Sequence, residues 1–346
     1  MNVPDVQRVS GLPGLPPDPG APWGLAVTEV EPVRGVYRLR SGGEQYCLKP
    51  TALSRREITF VAAVLDHLKA VGLPGAPQLL RTVAGEPVAR LGRRRFQLLR
   101  WQEGREADFL RPGEAEQAAV ALAQLHLAGL GFVPPFPRFR VLFGRWPAIL
   151  TRKRAELACF AEQAATVPRP TAFEREYARL APAWLAAADE ALAELAASPY
   201  RELSAAARRR GGICHHDLAH HNVLLTPEGP VLVDFDYALA DLGLHDLANL
   251  LRRLLRLVEW DPAPGRACLA AYREIAGGHP GETAVLLPLL RFPEEAWLTG
   301  RQYYVERLPW PEERFLEQLA RKGDTSPARR ACLAELAGPG GAGKDG

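Results

Sequence analysis

Residues 215–236 read HHDLAHHNVLLTPEGPVLVDFD, and this stretch decides the fold because it places acidic, amide and histidine side chains at fixed spacing. Asp217 and Asn222 lie in a segment without a helix start. Two apolar runs follow, on either side of a Pro-Glu-Gly-Pro turn, and this pattern predicts a β-hairpin. The hairpin would carry Asp234 back beside Asn222. We therefore expect Asp217, Asn222 and Asp234 to meet in one site.

The spacing of these residues matches the catalytic loop of kinases, which has the form HxDxxxxN. In that loop the aspartate accepts the proton of the substrate hydroxyl, and the asparagine supplies an amide oxygen to a magnesium ion. A second metal-binding aspartate belongs to the DFG motif further along the chain. Val233-Asp234-Phe235-Asp236 occupies this place, with an aspartate where the motif has glycine. The stretch thus predicts phosphoryl transfer.

Two other interpretations of the same residues are open. Aspartate and asparagine favour turns and histidine often packs in a core, so each residue alone is ordinary. The dense histidines also suggest a zinc hydrolase, but His216 and His220 would share a face only on a helix. Leu218 and the apolar run 223–225 instead favour a loop that leads into a strand. The joint spacing therefore favours phosphoryl transfer.

Composition limits the classes of protein to which the chain can belong. It has 346 residues with 47% hydrophobic content, enough for the core of two subdomains. A net charge of +3 gives no reason to expect nucleic-acid binding. The five cysteines are scattered without a CxxC pair, which argues against a disulfide framework and a structural zinc. Without a signal pattern or an apolar run of about 20 residues, we expect a cytoplasmic protein that does not enter a membrane.

The first hundred residues carry strand patterns around one helix. Five strands are predicted, within residues 26–49, near 78–83 and over 95–100. A capping box formed by Ser54 and Glu57 begins the helix, which runs to about Val71. We therefore expect a small antiparallel-sheet lobe that holds one helix.

Helical spacing dominates after Gly113, and the hairpin that ends near Asp236 is the one later strand pair that the pattern predicts. The predicted fold class is α+β, a protein-kinase-like two-lobe fold with a small antiparallel-sheet N-lobe and a larger, mostly helical C-lobe. We predict an irregular leader over 1–24, a nucleotide-binding N-lobe over 25–104, a C-lobe over 105–337 and a disordered tail over 338–346.

Four residues of the N-lobe are candidates for nucleotide binding. Lys49 ends an apolar strand, where its ammonium either points to water or needs anionic partners such as nucleotide phosphates and a helix glutamate. Glu57 is the available glutamate, although it also serves the capping box. Trp101 and Glu103 stand where a hinge would line an adenine pocket, and Trp101 fits ordinary core equally well. Gly35 is the one glycine between the first two strands that is available to contact nucleotide phosphates, so any phosphate-binding loop there is short.

Two residues of the predicted C-lobe helices have more than one interpretation. Asp246, in LHDLANLL, heads a helix and either braces the catalytic loop or caps its own helix. The cap is a sufficient explanation from the sequence. His126 lies on the LAQLH helix face and is expected to be a packed histidine.

The chain resembles the aminoglycoside phosphotransferase and choline kinase-like superfamily. The stretch ICHHDLAHHNVLLTPEG is similar to the superfamily pattern CHxDxxxxNxxxxxxG. Within the superfamily, the chain looks like the CotS-type spore coat proteins over about residues 27–336. The marks of that subfamily are Gly144-Arg-Trp146 before a basic helix, Trp101-Gln-Glu-Gly104, and Asp246-Leu247 after the metal aspartate.

The resemblance also implies roles for single residues. It implies that Asp217 is the catalytic base, that His215 supports its loop and that Lys49 binds phosphate. The implied magnesium ligands are Asn222 and Asp234, assisted by Asp236. The chain departs from the pattern at His216, where many relatives carry glycine, and in its short phosphate loop.

Two functional hypotheses follow. The leading one is a kinase that uses magnesium and ATP, or another nucleoside triphosphate, to phosphorylate a hydroxyl of a small molecule. Nothing in residues 105–210 marks a sugar, choline or aminoglycoside pocket, so the acceptor stays open. The competing hypothesis is a non-catalytic kinase-fold component that is deposited on the spore coat and binds other coat proteins. Neither hypothesis involves nucleic acid or a membrane.

Overall fold

The structure is a computed structural model that describes residues 15–322 and 327–338. Nine strands are present in the described residues: β1 (Glu29–Val33), β2 (Val36–Ser41), β3 (Glu44–Thr51), β4 (Leu79–Leu80), β5 (Ala89–Leu91), β6 (Arg94–Arg100), β7 (Arg105–Glu106), β8 (Val223–Thr226) and β9 (Gly229–Leu232). The helices of the same residues are α1 (Arg55–Ala70), α2 (Glu114–Ala128), α3 (Trp146–Thr166), α4 (Ala172–Ala197), α5 (Tyr200–Arg210), α6 (Leu244–Leu257), α7 (Pro262–Ala276), α8 (Glu282–Arg291), α9 (Glu294–Tyr304), α10 (Glu312–Lys322) and α11 (Pro327–Ala337). The predicted small sheet lobe and larger helical lobe are therefore confirmed.

The N-lobe sheet is antiparallel, with strand order β1-β2-β3-β6-β4 and β5 paired to β6. The predicted number of five strands is wrong, because β5 is a sixth. β5 spans three residues, too few for an alternating pattern to stand out in the sequence. In the centre of the sheet Lys49 lies opposite Gln97, so β3 places the lysine in the middle of the lobe.

Helix α1 begins as predicted, and most of its buried side chains belong to the apolar cluster that continues into the C-lobe. The Ser54 hydroxyl accepts a hydrogen bond from the Glu57 amide at 3.3 Å, and the Glu57 carboxylate accepts one from the Ser54 amide at 2.7 Å. The apolar face of the helix is buried, including Ile58, Leu65 and Leu68. Burying side chains of this size contributes roughly 1.5–3 kcal/mol each, which fixes the helix against the core.

The described part of the predicted leader, residues 15–24, is not all irregular. Residues 21–23 form a short 3₁₀ helix, and the Trp23 side chain is buried against Val30 and Leu39 of the sheet. These residues therefore belong to the packed N-lobe. The predicted disordered tail, apart from Gly338, lies outside the described residues.

Two contacts hold the hairpin in place, one within the C-lobe and one from the N-lobe. β7, which follows the linker at residues 101–104, pairs with β8 of the β8–β9 hairpin. The loop after α1 packs on the same hairpin at Gly75, where a Cβ atom would stand 2.0 Å from Val231 Cγ1. Gly75 has φ +66°, so both its conformation and its surroundings require glycine. The hairpin is thus a fixed platform between the lobes.

The C-lobe has two clusters of buried apolar side chains. The larger one includes residues of α2, α6, α7 and α8 and continues under the hairpin. The smaller one joins α3, α4, α9 and α10 around Trp184, Tyr177 and Phe173. No described helix is both long enough and apolar enough to cross a membrane.

Candidate active site

The loop at residues 215–222 is held in place by Asp246, in the first turn of α6. Its fully buried carboxylate accepts hydrogen bonds from the backbone amides of His215, at 2.5 Å, and His216, at 2.9 Å. Burial alone would raise the pKa of Asp246, but a hydrogen bond from His126 and nearby histidine charges outweigh it and lower that pKa. Asp246 therefore braces the loop, and the helix cap is an insufficient explanation of this residue.

His126 and His215 are packed histidines with defined partners. His126 bonds the Tyr272 hydroxyl through Nδ1 at 2.7 Å, and its Nε2 lies 3.5 Å from Asp246. The fully buried ring of His215 bonds the Val233 carbonyl at 2.8 Å through Nε2. Its Nδ1 accepts the Asp217 amide at 3.3 Å. His215 thus connects the loop to the strand end that precedes Asp234.

Asp217 and Asn222 meet as the spacing predicts. The Asn222 side-chain amide donates to the Asp217 carbonyl at 3.0 Å and to the Asp217 carboxylate at 3.2 Å. The backbone carbonyl of Asn222 accepts the Val233 amide at 3.0 Å, which ties the start of the hairpin to its end. With its nitrogen engaged in this way, Asn222 has its side-chain oxygen left to offer a cation.

The second oxygen of the Asp217 carboxylate has a partner that the sequence did not predict. Arg253 of α6 lies 2.9 Å from Asp217 Oδ1, and both side chains are partly exposed. The apolar periodicity of α6 places Arg253 on its polar side but gives no signal for this contact. The candidate base is therefore held between an amide and a guanidinium.

Lys49 bridges the two aspartates that follow the hairpin. Its ammonium lies 2.7 Å from Asp234 Oδ1 and 2.8 Å from Asp236 Oδ2. Burial would lower the pKa of Lys49, but Asp236 and Asp234 raise it overall. Burial alone would raise the pKa of Asp234, but the charge and hydrogen bond of Lys49 outweigh burial and lower that pKa. Asp234 has φ +65°, a left-handed conformation that aspartate tolerates better than most residues.

Glu57 contacts a different cation from the one that we predicted. Its carboxylate lies 3.1 Å from Arg140, whereas Lys49 is engaged by Asp234 and Asp236. The capping box keeps Glu57 at the helix start, and the hydrogen bonds from Ser54, with Arg140, lower its pKa. The predicted Lys49–Glu57 ion pair is therefore not formed.

Arg140 is a further residue that the sequence did not single out. It donates to the backbone carbonyls of Asp236, at 2.6 Å, and Ala238, at 3.1 Å, in addition to its contact with Glu57. It adopts a left-handed backbone conformation with φ +55°. Arg140 thus links α1 to the segment that carries the metal-binding candidates, and Glu57 acts on that segment through Arg140.

The remaining nucleotide-binding candidates lie in or beside the linker. Trp101 is half-buried, with the guanidinium of Arg38 at 5.0 Å from its ring. Glu103 is exposed. The turn between β1 and β2 consists of Arg34 and Gly35, as short as expected, and Arg34 forms an ion pair with Glu106 across the cleft.

The donor atoms of this site fit a magnesium ion. Magnesium prefers oxygen ligands, usually one or two carboxylates with phosphate and water. Asp234 and Asp236 already point carboxylate oxygens at one cation, the Lys49 ammonium, and Asn222 offers a neutral oxygen. The described residues therefore supply the ligand types that a magnesium–nucleotide complex needs.

Comparisons with known proteins show several relatives. The chain is 24% identical to spore coat protein S of Bacillus subtilis over 285 residues, which cover 82% of this chain and 81% of that protein. It is 29% identical to a homoserine kinase of Methylobacterium nodulans over 244 residues, 69% of this chain and 66% of that protein. Both similarities extend along more than two thirds of this chain.

Solved structures share the fold. An aminoglycoside phosphotransferase from Alicyclobacillus acidocaldarius has a TM-score of 0.78 and 24% identity, covering 95% of this chain and 97% of its own. Spectinomycin phosphotransferase in complex with ADP and spectinomycin has a TM-score of 0.60 and 13% identity, with 90% and 94% coverage. The predicted kinase-like fold and the superfamily resemblance are confirmed. The model of the phosphotransferase enzyme family matches residues 32–287, and the chain belongs to that family.

Proposed function

We propose that this protein is an ATP- and magnesium-dependent kinase that phosphorylates a hydroxyl of a small molecule. The observation that supports this most directly is that hydrogen bonds and ion pairs join three separate segments. Asn222, which bonds Asp217, also accepts the Val233 amide next to Asp234 through its carbonyl, and Lys49 bridges Asp234 and Asp236. This arrangement supports a site in which Asp217 would be the base, the other carboxylates and Asn222 would be cation ligands, and Lys49 would bind phosphate.

Each residue has a role in the proposed reaction. Asp217 orients the acceptor hydroxyl and accepts its proton while the hydroxyl oxygen bonds the γ-phosphorus and the bond from that phosphorus to the β-phosphate oxygen breaks. Asn222 and Asp234, assisted by Asp236, would hold magnesium, which neutralises phosphate charge when bound. His215 positions the loop, and Lys49 binds the α- and β-phosphates.

The linker residues, Glu57 and the two lobes complete the proposal. Trp101 and Glu103 would line the adenine site in the linker, and Glu57 would support the metal-binding segment through Arg140. The N-lobe over 25–104 would bind the nucleotide, and the C-lobe over 105–337 would supply the base and the acceptor site. We propose a cytoplasmic enzyme, for which ATP is the expected donor among nucleoside triphosphates.

Calorimetry with ATP, with and without magnesium, tests the nucleotide site. We expect magnesium-dependent binding by the wild type that falls at least about tenfold in Asp234→Ala, because one charged ligand is lost. Asp189→Ala is the matched control, since Asp189 also pairs with one cation, Arg154, but lies on α4. Absence of ATP binding by the wild type, or equal binding by Asp234→Ala, would contradict the proposal.

The similarity to spore coat protein S favours a second candidate, a kinase-fold component of the spore coat without catalysis. The two candidates differ in what Asp217→Asn does. A spore-forming host that makes only this variant would keep every phenotype if the protein is a scaffold, and would lose the phenotype if it is a kinase. Matched amounts of variant protein in the coat fraction exclude a defect of folding.

A further inference from the structure

Three arginines lie on one stretch of α6 beside the candidate base. Arg253 pairs with Asp217 at 2.9 Å, while Arg256 and Arg252 share Glu295 of α9, at 2.9 Å and 3.9 Å. In the described part of the chain, this group therefore sets three guanidiniums against two carboxylates. One of those carboxylates, Asp217, is the group that the proposed reaction assigns to the acceptor hydroxyl.

Arg253 is the arginine that reaches the reaction site. Its side chain is 41% exposed, and one hydrogen bond, to Asp217, is found for it among the described residues. A guanidinium carries five N–H donors in a planar fork, so most of its donors stay available at the cleft. Such a fork matches the two oxygens of a carboxylate or a phosphate.

The other two arginines share one carboxylate, Glu295, and Arg252 also donates hydrogen bonds to Asn249 Oδ1 and the Leu289 carbonyl. Burial and the nearby charges of Arg252 and Arg253 lower the pKa of Arg256, although Glu295 opposes this effect. Arg252 is buried, and its Nε atom has no hydrogen-bond partner in the described structure. The three arginines with Asp217 and Glu295 thus keep one net positive charge.

The neighbouring wall also carries a cation. Trp146 of α3 contacts the ring of His216, the residue before Asp217, with ring centroids 6.3 Å apart. The buried Lys153 ammonium lies 5.9 Å from the Trp146 ring and forms an ion pair with Glu294. Both side chains are buried, and the Trp146 ring is stacked on His245 with centroids 3.7 Å apart. The segment behind His216 thus contains a paired cation, whereas recognition of a polycationic acceptor would need clustered carboxylates.

We infer that the acceptor is an alcohol with an anionic group, a carboxylate or a phosphate, which binds the Arg253 guanidinium next to Asp217. This inference rests on the proposed kinase function and names the class of its substrate. An anion at Arg253 takes the place of Asp217 as its partner, so that Asp217 Oδ1 is released toward the acceptor hydroxyl. The anion also balances the one positive charge left over by the three arginines and their two carboxylates.

Matched alcohols test this inference on protein saturated with magnesium and the non-transferable nucleotide AMP-PNP. The probes are glycerol 3-phosphate, glycerate, glycerol and choline, each titrated by calorimetry. We expect the two anions to bind and glycerol and choline to bind at least about tenfold more weakly, since a charged hydrogen bond is lost. Raising the salt concentration should weaken the anions alone.

Arg253→Gln assigns the contact. It should weaken glycerol 3-phosphate at least about tenfold, and Arg253→Lys should recover part of the loss because it restores charge without the fork. Arg266→Gln is the matched control, because Arg266 is 45% exposed and also pairs with one carboxylate, Glu335, at 2.8 Å. It should leave binding of the anions unchanged.

The outcomes separate this inference from the function on which it rests. Failure of AMP-PNP to bind the wild type refutes the proposed function itself. With AMP-PNP bound, the inference is overturned by tighter binding of choline or glycerol, by absence of anion binding, or by equal anion affinity in Arg253→Gln. A loss of AMP-PNP affinity in Arg253→Gln would assign Arg253 to the γ-phosphate and would also overturn it.

Discussion

Replacement of Asp246 by asparagine should release the loop at residues 215–222 without creating a cavity. The buried carboxylate accepts the His215 and His216 amides, and hydrogen bonds to a charged group contribute about 1.5–3 kcal/mol each. Asparagine keeps one accepting oxygen and turns an NH₂ group toward the other amide. We therefore expect Asp246→Asn to lower the free energy of unfolding by about 3 kcal/mol at neutral pH, measured by urea denaturation.

The pH dependence of this loss makes the prediction specific. The pKa of Asp246 is lowered in the folded protein, so its stabilisation is present above its ordinary pKa and is lost as the pH falls through the folded value. The difference between wild type and Asp246→Asn should thus shrink in acid. A loss below about 1 kcal/mol at neutral pH, or one that grows in acid, would refute the bracing role.

Asp241 provides a control with the opposite sign. It is also buried, it accepts the indole N–H of Trp146, and burial raises its pKa to about 7. An acid with a raised pKa binds its proton more tightly when folded, so the wild type loses stability as the pH rises from its ordinary pKa toward 7. Asp241→Asn lacks this loss and should gain stability relative to the wild type over that range.

Three further substitutions and one control variant have defined outcomes. Lys49→Met should weaken ATP binding at least about tenfold by calorimetry, because the phosphates lose a charged partner. Asp217→Asn should reduce the turnover of any accepted alcohol by roughly 10²–10⁴-fold with unchanged ATP affinity, as expected for loss of a general base. Gly75→Ala should cost about 2 kcal/mol or more in urea denaturation, since its Cβ would meet Val231 and its φ is positive. Gly85→Ala, with positive φ and nothing within 4 Å, should cost about 1 kcal/mol for the backbone alone.

The parts of the site that the sequence predicts are those fixed by short-range spacing. Asp217 and Asn222 belong to one loop, and a hairpin of regular pattern determines where Asp234 returns. Local rules of this kind also gave the capping box of α1. These elements need no knowledge of how distant segments pack.

The partners of these residues depend on packing between segments far apart in the chain. Arg253 of α6 pairs with Asp217, and Arg140 instead of Lys49 pairs with Glu57. The sequence pattern does not show whether an arginine on a polar surface is solvated or forms an ion pair, because both arrangements give the same periodicity. Asp246 is intermediate: the sequence placed it at the head of a helix, and the tertiary structure decides that it binds the loop.

The engagement of Lys49 by Asp234 and Asp236 has a consequence for the order of binding. The two carboxylates keep one negative charge after pairing with the ammonium, so a magnesium ion alone meets carboxylates whose charge Lys49 already partly neutralises. A nucleotide that brings its own phosphates gives Lys49 new partners and leaves the carboxylates to the metal. Magnesium and the nucleotide should therefore each strengthen the binding of the other, which reciprocal linkage requires to be equal in both directions. Glu57 pairs with Arg140, so Lys49 has no glutamate of α1 as an alternative partner. The affinity for magnesium and the affinity for the nucleotide should therefore each depend on whether the other is bound.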